Sequence, residues 1–159
     1  MIEIDVLDSI LDRYDRDAAN IISILQDIQT EANWLPEDAL RYVSTQMEIP
    51  LSKMMALATF YKAFSLKPRG RHIVSVCLGT ACHVRGAERI AGAAERELGI
   101  QDGETDGDLQ WTLETVGCLG ACALGPIVVI DGEYHGQMTS VKTTRLLQRI
   151  KKADGNGAV

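Results

Sequence analysis

The sequence has few aromatic residues and no long hydrophobic run. Only 5% of its 159 residues are aromatic, and no stretch approaches the roughly 20 apolar residues of a membrane span. The N-terminus, Met-Ile-Glu-Ile-Asp, lacks the basic segment and apolar core of a signal peptide. These absences predict a soluble, cytoplasmic protein without direct membrane insertion. In that compartment paired cysteines more often bind metal or do redox chemistry than form structural disulfides.

Basic residues are scarce in the first part of the chain. Residues 1–66 contain 11 acidic and 5 basic side chains, whereas residues 67–159 contain 11 of each. An acidic half of this kind argues against nucleic acid as a partner. The sequence also lacks a phosphate-binding loop, a dinucleotide fingerprint and a Ser/His/Asp set, so it shows no site for NAD, flavin or an organic substrate.

The first 66 residues show four patterns of apolar residues at helical spacing and predict a small helical domain. The second helix is predicted to start near Asp17. Pro36 is interpreted as a first-turn proline of the third helix, and Ser52 as the N-cap of the fourth. The methionines of these helices are assigned to the core. Residues 67–70, Lys-Pro-Arg-Gly, are interpreted as the linker that follows.

After residue 70 the pattern changes to short strands. Strands are predicted over 73–76, 111–116, 127–130 and 133–135, and helices over 86–98 and from Ser140 onwards. The acidic segment 101–108 between them is interpreted as a solvated turn. The order of elements matches a reduced thioredoxin-like fold whose first two strands are parallel. Because a cis-proline often precedes the third strand of that fold, a cis Gly125–Pro126 bond is predicted.

All four cysteines lie in two short loops that contain glycine. Cys77 and Cys82 belong to Cys-Leu-Gly-Thr-Ala-Cys, and Cys118 and Cys122 to Gly-Cys-Leu-Gly-Ala-Cys. Each loop follows one of two strands that are predicted to be parallel. Both loops therefore emerge at the same edge of the sheet, where the four sulfur atoms can converge.

Three kinds of site remain open for these thiols. Four thiolates make a closed tetrahedral zinc site, but zinc ribbons favour two-residue gaps between cysteines. Structural disulfides fit poorly with a cytosolic setting, and the spacing favours thiol redox chemistry least. A 2Fe-2S cluster also takes four thiolates, and plant-type ferredoxins share the C-x4-C opening, although their second pair is spaced differently. The spacing favours the iron–sulfur cluster.

The residues between the cysteines suit an anionic cluster. Segments 78–84 and 117–125 contain no Asp or Glu, and Arg85 is the nearest charged residue in sequence. Backbone N–H groups exposed by glycine can donate to sulfur and tune a cluster's potential. The candidate donors are Gly79, Gly117, Gly120 and Gly125.

Further motifs accompany the cysteines: Leu-Pro-Glu-Asp-Ala-Leu at 35–40, Ala-Thr-Phe-Tyr at 58–61, Phe-Ser-Leu-Lys-Pro-Arg-Gly at 64–70 and Val-Cys-Leu-Gly-Thr-Ala-Cys-His-Val-Arg-Gly-Ala at 76–87. With them, the chain resembles the small 2Fe-2S subunit of the NADH:quinone oxidoreductase (complex I) family and its soluble relatives. The resemblance extends from about Leu35 to Lys151. All four ligand positions of the family are matched, which implies that Cys77, Cys82, Cys118 and Cys122 bind the cluster.

The expected fold class is α+β, with an N-terminal helical bundle followed by a thioredoxin-like α/β domain that carries a 2Fe-2S cluster. The helical domain is expected over residues 1–66 and the linker over 67–70. The thioredoxin-like domain is expected over 71–152, and a disordered tail over 153–159.

The resemblance also implies an electron-transfer subunit without a complete substrate site of its own. Its expected partner is a flavin- and NAD(H)-binding iron–sulfur subunit that carries FMN, with further iron–sulfur or hydrogenase subunits. The Cys-Leu-Gly-Thr-Ala-Cys loop looks more like soluble NAD-linked or electron-bifurcating hydrogenases and dehydrogenases than like respiratory complex I. The alternatives are the equivalent complex I subunit and a zinc-stabilised scaffolding adaptor.

Overall fold

The computed structural model describes residues 2–155, which divide into two units between Arg69 and Gly70. This division falls within segment 67–70, for which the sequence suggests a linker. Each unit has a hydrophobic core of its own. The expected α+β architecture, with helices first and a sheet second, is confirmed.

No helix within residues 2–155 is both long enough and apolar enough to cross a lipid bilayer.

The first unit consists of four short helices around one core. They are α1 (Ile4–Arg13), α2 (Ile21–Ala32), α3 (Glu37–Gln46) and α4 (Leu51–Phe60). Each helix buries its apolar stripe against the others, and residues such as Leu11, Leu25 and Leu40 are fully buried. Met54 is also fully buried, which confirms that the methionines of this unit contribute to its core.

The helix starts differ slightly from the prediction. A 3₁₀ turn (Ala18–Asn20), whose N–H at Ala19 donates to the Asp17 carboxylate at 2.9 Å, precedes α2. The prediction of Ser52 as an N-cap is wrong, because Pro50 is the last extended residue and Ser52 lies inside the first turn. Pro36 is likewise extended and precedes α3 rather than opening it.

The second unit is a four-stranded sheet with helices. Its elements are β1 (His72–Cys77), α5 (Thr80–Val84), α6 (Ala87–Leu98), β2 (Trp111–Val116), β3 (Val128–Ile130), β4 (Glu133–His135) and α7 (Ser140–Gly155). The strand order is β2-β1-β3-β4. Strand β1 is parallel to β2 and antiparallel to β3, and β4 is antiparallel to β3. The predicted parallel pair and hairpin are therefore confirmed.

Two details of this unit agree with the sequence analysis and one goes beyond it. The Gly125–Pro126 peptide bond is cis, as predicted. Helix α6 ends at Gly99, which adopts a left-handed conformation with φ of 75°. Helix α5 was not predicted, because a five-residue helix shows no apolar periodicity of its own.

Segment 101–108 is more than a solvated turn. The Asp102 carboxylate accepts hydrogen bonds from the backbone N–H and the hydroxyl of Thr115, at 2.6 and 2.7 Å. Asp106 accepts from the N–H of Trp111 at 3.0 Å. The acidic side chains thus satisfy backbone donors along the outer edge of β2, which is an edge strand of the sheet.

The disordered tail was predicted to begin at residue 153, which is too early. Helix α7 continues to Gly155, so residues 153–155 are helical. In this last turn the Asp154 carboxylate lies 2.9 Å from Nε2 of His72, at the start of β1. Residues 156–159, the rest of that tail, lie outside the described residues.

Candidate metal centre

The two cysteine loops meet at one edge of the sheet because the strands that lead into them are parallel. Cys77 is the last residue of β1 and pairs in register with Val116, the last residue of β2. Cys118 follows two residues later. The N–H of Leu78 donates to the carbonyl of Val116 at 2.8 Å, so the two loops start side by side.

The first loop is held by a short helix. Gly79 precedes α5, and the N–H of His83 donates to its carbonyl at 2.8 Å. Cys82 lies in α5, ahead of α6. The side chains of Cys77 and Cys82 are both buried, with 2% and 1% of their surface exposed.

The second loop is more open. Cys118 and Cys122 are both exposed. Gly120 between them has φ of 79°, a left-handed conformation that favours glycine, and its N–H donates to the Cys118 sulfur at 3.3 Å. Cys122 opens a 3₁₀ turn (Cys122–Leu124) that leads to the cis-proline. The site therefore has two buried thiols on one side and two accessible thiols on the other.

Backbone N–H groups from both loops point at the buried sulfurs. Burial of Cys77 raises its pKa, but hydrogen bonds from the N–H groups of Gly79 and Leu119 and from Cys82 outweigh it, so the pKa of Cys77 is lowered. The Leu119 donor belongs to the second loop and its acceptor to the first. The two loops are thus joined through a sulfur atom.

The pKa values of Cys82 and Cys122 are raised. Burial, followed by the hydrogen bond with Cys77, raises the pKa of Cys82. The hydrogen bond and negative charge of Cys118 raise the pKa of Cys122. These interactions group the thiols into two close pairs, Cys77 with Cys82 and Cys118 with Cys122. The charge of Cys77 also acts on Cys122, so the pairs face the same small region.

The paired arrangement fits a cluster of two metal atoms. Within residues 2–155, no three His, Cys, Asp or Glu side chains converge tightly enough to hold a single ion. A mononuclear zinc site needs its four thiolates around one point. A 2Fe-2S cluster takes four thiolates over two iron atoms, which matches two adjacent pairs. The observed N–H donors to sulfur suit the negative charge of such a cluster.

Glycine lets the backbone approach the sulfurs. A Cβ atom on Gly125 would lie 3.0 Å from the Cys82 sulfur and 3.2 Å from the Cys122 carbonyl oxygen. A Cβ atom on Gly79 would lie 2.7 Å from the Gly117 carbonyl oxygen, so the two loops also pack closely on each other. A side chain at Gly79 would require the Gly117 carbonyl to shift, and Gly125 leaves little room for one.

The predicted donor role of glycine holds for two of the four positions. Gly79 and Gly120 donate to sulfur, as expected. The prediction for Gly125 is wrong, because its N–H donates to the carbonyl of Cys122 at 3.1 Å within the 3₁₀ turn. At Gly117 it is the carbonyl oxygen that faces the other loop. The sequence gives no signal for the Leu119 donor, because an N–H group is the same in every non-proline residue.

Arg85 is a positioning residue that the sequence analysis noted only as a nearby charge. Its Nη1 atom donates to the carbonyl oxygens of Cys122 and Gly125, at 3.2 and 2.9 Å. A side chain from the segment between α5 and α6 therefore holds the second cysteine loop at both ends of its 3₁₀ turn. It also places a positive charge beside the four thiols.

The histidines lie outside this arrangement. His83 is exposed, as predicted, and its Nδ1 atom lies 3.8 Å from Glu88. His72, for which the sequence suggests no partner, has two: Asp131 at 2.5 Å from Nδ1 and Asp154 at 2.9 Å from Nε2. Its ring also packs on Trp111, with centroids 4.7 Å apart. From the start of β1, His72 therefore contacts both the turn between β3 and β4 and the last turn of α7.

The sequence model of the thioredoxin-like 2Fe-2S ferredoxins matches residues 7–151 of the chain. This match covers both units and contains all four cysteines. The chain belongs to the thioredoxin-like 2Fe-2S ferredoxin family. The resemblance drawn from the cysteine motifs is confirmed, and the family's cofactor is the expected 2Fe-2S cluster.

This ferredoxin is similar to components of two kinds of complex. It is 32% identical over 128 residues to the NADP-reducing hydrogenase subunit HndA of Solidesulfovibrio fructosivorans. This match covers 80% of this chain and 75% of that subunit. It is also 32% identical over 149 residues to a subunit of the NADH-quinone oxidoreductase of Escherichia coli K12. This match covers 94% of this chain and 90% of that subunit.

A solved structure shares the fold of this ferredoxin. An NAD⁺-reducing NiFe-hydrogenase in the H₂-reduced state contains a chain that superposes with a TM-score of 0.75 over 86% of the present chain. The two sequences are 21% identical there, so the likeness concerns the fold. The present chain spans 23% of that hydrogenase chain.

Proposed function

We propose that Cys77, Cys82, Cys118 and Cys122 hold one 2Fe-2S cluster. The observation that carries this proposal is the meeting of two thiol pairs at one sheet edge, with backbone N–H groups directed at their sulfurs. When bound, the cluster takes up and releases one electron at a time. The chain's contribution is to exclude carboxylates from both loops, supply N–H donors, and fix the second loop through Arg85.

The chain acts, in this proposal, as an electron-transfer subunit of a multisubunit NAD-linked oxidoreductase. The support is that the relatives named above are subunits of nicotinamide-linked enzymes. A partner subunit with FMN and an NAD(H) site performs the hydride chemistry, and hydride oxidation releases two electrons. This chain exchanges those electrons singly with the flavin. Further iron–sulfur or hydrogenase subunits complete the assembly, which operates in the cytoplasm.

We infer that the chain belongs to a soluble complex of the electron-bifurcating or hydrogenase-linked type. Identity does not separate the two relatives, since both reach 32%. The Cys-Leu-Gly-Thr-Ala-Cys loop resembles the soluble type more closely and decides the choice. The equivalent component of respiratory complex I is the second candidate, favoured by the longer match to the Escherichia coli protein. The zinc-stabilised adaptor receives no support from the family.

Metal analysis of the chain purified anaerobically tests the cluster. We expect about two iron and two sulfide per chain, visible absorption, and an EPR signal after reduction. Cys77→Ser should lose most of this iron, whereas Thr80→Ala, an exposed change within the same loop, should keep it. Circular dichroism establishes that the variant is folded. One zinc per chain, or an unchanged spectrum in folded Cys77→Ser, would contradict the assignment.

A further inference from the structure

The surface beside the cysteine loops carries a groove between α6 and α7, which pack against each other. Two adjoining depressions of about 320 and 360 Å³ form it, and they share Ser140 and Val141. We call this the basic groove, because arginines line both parts of it and no carboxylate does. The lining arginines are Arg85, Arg89, Arg96 and Arg145.

The arginines of the basic groove differ from those of the first unit in having no acidic partner. Arg13, Arg16 and Arg41 each form an ion pair within 3.2 Å. Among residues 2–155, no carboxylate pairs with Arg89, Arg96 or Arg145. Unpaired cations gathered along one groove create a positive potential that attracts an acidic surface.

The geometry of the groove is extended rather than compact. Arg89 and Arg96 are seven residues apart on α6, which places them on one face and about 10 Å apart. Their guanidinium groups lie over glycines, within 3.0 Å of a Cβ position at Gly86 and 3.4 Å at Gly92. On α7, Val141 and Arg145 are one turn apart, and Val141 is 59% exposed.

We propose that the basic groove docks an acidic helix of the flavin- and NAD(H)-binding partner, an inference that rests on the proposed function. Carboxylates two turns apart on that helix match Arg89 and Arg96, and an apolar residue between them covers Val141. Arg85 connects the groove to the cysteine site, since it lines one end and donates to the carbonyls of Cys122 and Gly125. Electron exchange requires close approach of the two cofactors, and docking here provides it.

The test is a binding measurement between the cluster-loaded chain and the flavin subunit that co-purifies with it. The groove variant, Arg89→Glu/Arg145→Glu, should weaken the Kd about tenfold or more at low salt and flatten its salt dependence. The double variant Arg149→Glu/Lys152→Glu is the matched control, because it makes the same charge change on α7 outside the groove, where Arg149 lies beside Asp131 and Glu133. The control should change the Kd by less than about threefold.

Each other outcome overturns the proposal. Equal weakening by the groove variant and by the control variant would show that only overall charge matters. An unchanged Kd in the groove variant, with its cluster spectrum intact, would place the partner elsewhere while leaving the electron-transfer function standing. Loss of inorganic phosphate or ADP binding in the groove variant without any change in partner binding would identify the groove as a small-anion site. A chain that assembles no cluster would overturn both proposals together.

Discussion

Among the described glycines, Gly125 is the one whose Cβ position lies nearest to a cysteine sulfur. Its Cβ position is 3.0 Å from the Cys82 sulfur, and the neighbouring Cys122 carbonyl and Arg85 guanidinium are at 3.2 and 3.4 Å. An added methyl group must displace the sulfur, the 3₁₀ turn or both. Because the four thiols must be held together for a cluster to assemble, small displacements here affect cofactor binding more than folding.

We therefore predict that Gly125→Ala lowers the iron content of the anaerobically purified chain to less than about half of the wild-type value, since cluster assembly needs all four thiolates. Gly117→Ala is the matched control in the same loop, because no atom lies within 4 Å of its Cβ position. It should retain the wild-type iron content. Equal iron content in the two variants would show that the close approach at Gly125 does not matter for the cofactor.

At the scale of secondary structure, α7 fastens the sheet of the second unit. Leu147 on its inner face is fully buried in the same core as Val74 and Leu113. At its C-terminal end, Asp154 contacts His72, and the Lys151 ammonium donates to the carbonyl of Glu97 on α6. The helix thus stabilises the strand that ends at Cys77.

Truncation of Leu147 should be costly. Leu147→Ala is expected to lower the free energy of unfolding by about 2–5 kcal/mol, the usual range for removing a buried leucine side chain. Arg149→Ala, an exposed change two residues away, should stay within about 0.5 kcal/mol. Denaturant unfolding followed by circular dichroism measures both. Similar losses in the two variants would mean that α7 contributes little to the core.

Periodic and short-range features of the sequence predicted most elements correctly. Apolar spacing located the helices, and β-branched runs located the strands that lead to Cys77 and Cys118. The parallel pairing of those strands was enough to bring the cysteine loops together. The missed features depend on contacts distant in sequence. They are the hydrogen bonds from Arg85 to the second loop, the N–H from Leu119 to Cys77, the hydrogen bonds from Thr115 to Asp102, and the close contact of Asp154 with His72.

At the scale of the whole molecule, charge is divided between the two units. Most of the acidic surplus lies in the helical unit, where Asp8, Asp12 and Asp27 pair with neighbouring arginines. The second unit, with 11 acidic and 9 basic side chains over residues 70–159, carries its unpaired arginines beside the cysteine loops. In the proposed electron-transfer role, this second unit meets the flavin subunit and exchanges electrons with it.

That exchange is measured most directly by rapid mixing under anaerobic conditions. The cluster-loaded chain, reduced with half a molar equivalent of dithionite so that each cluster receives one electron and no reductant remains, is mixed with the oxidised flavin subunit, and the cluster's EPR signal is followed together with flavin absorbance. We predict that the EPR signal disappears as the flavin gains electrons. If the full EPR signal persists while the two proteins remain bound in one complex, the cluster does not pass its electron to the flavin, and the proposed role is wrong.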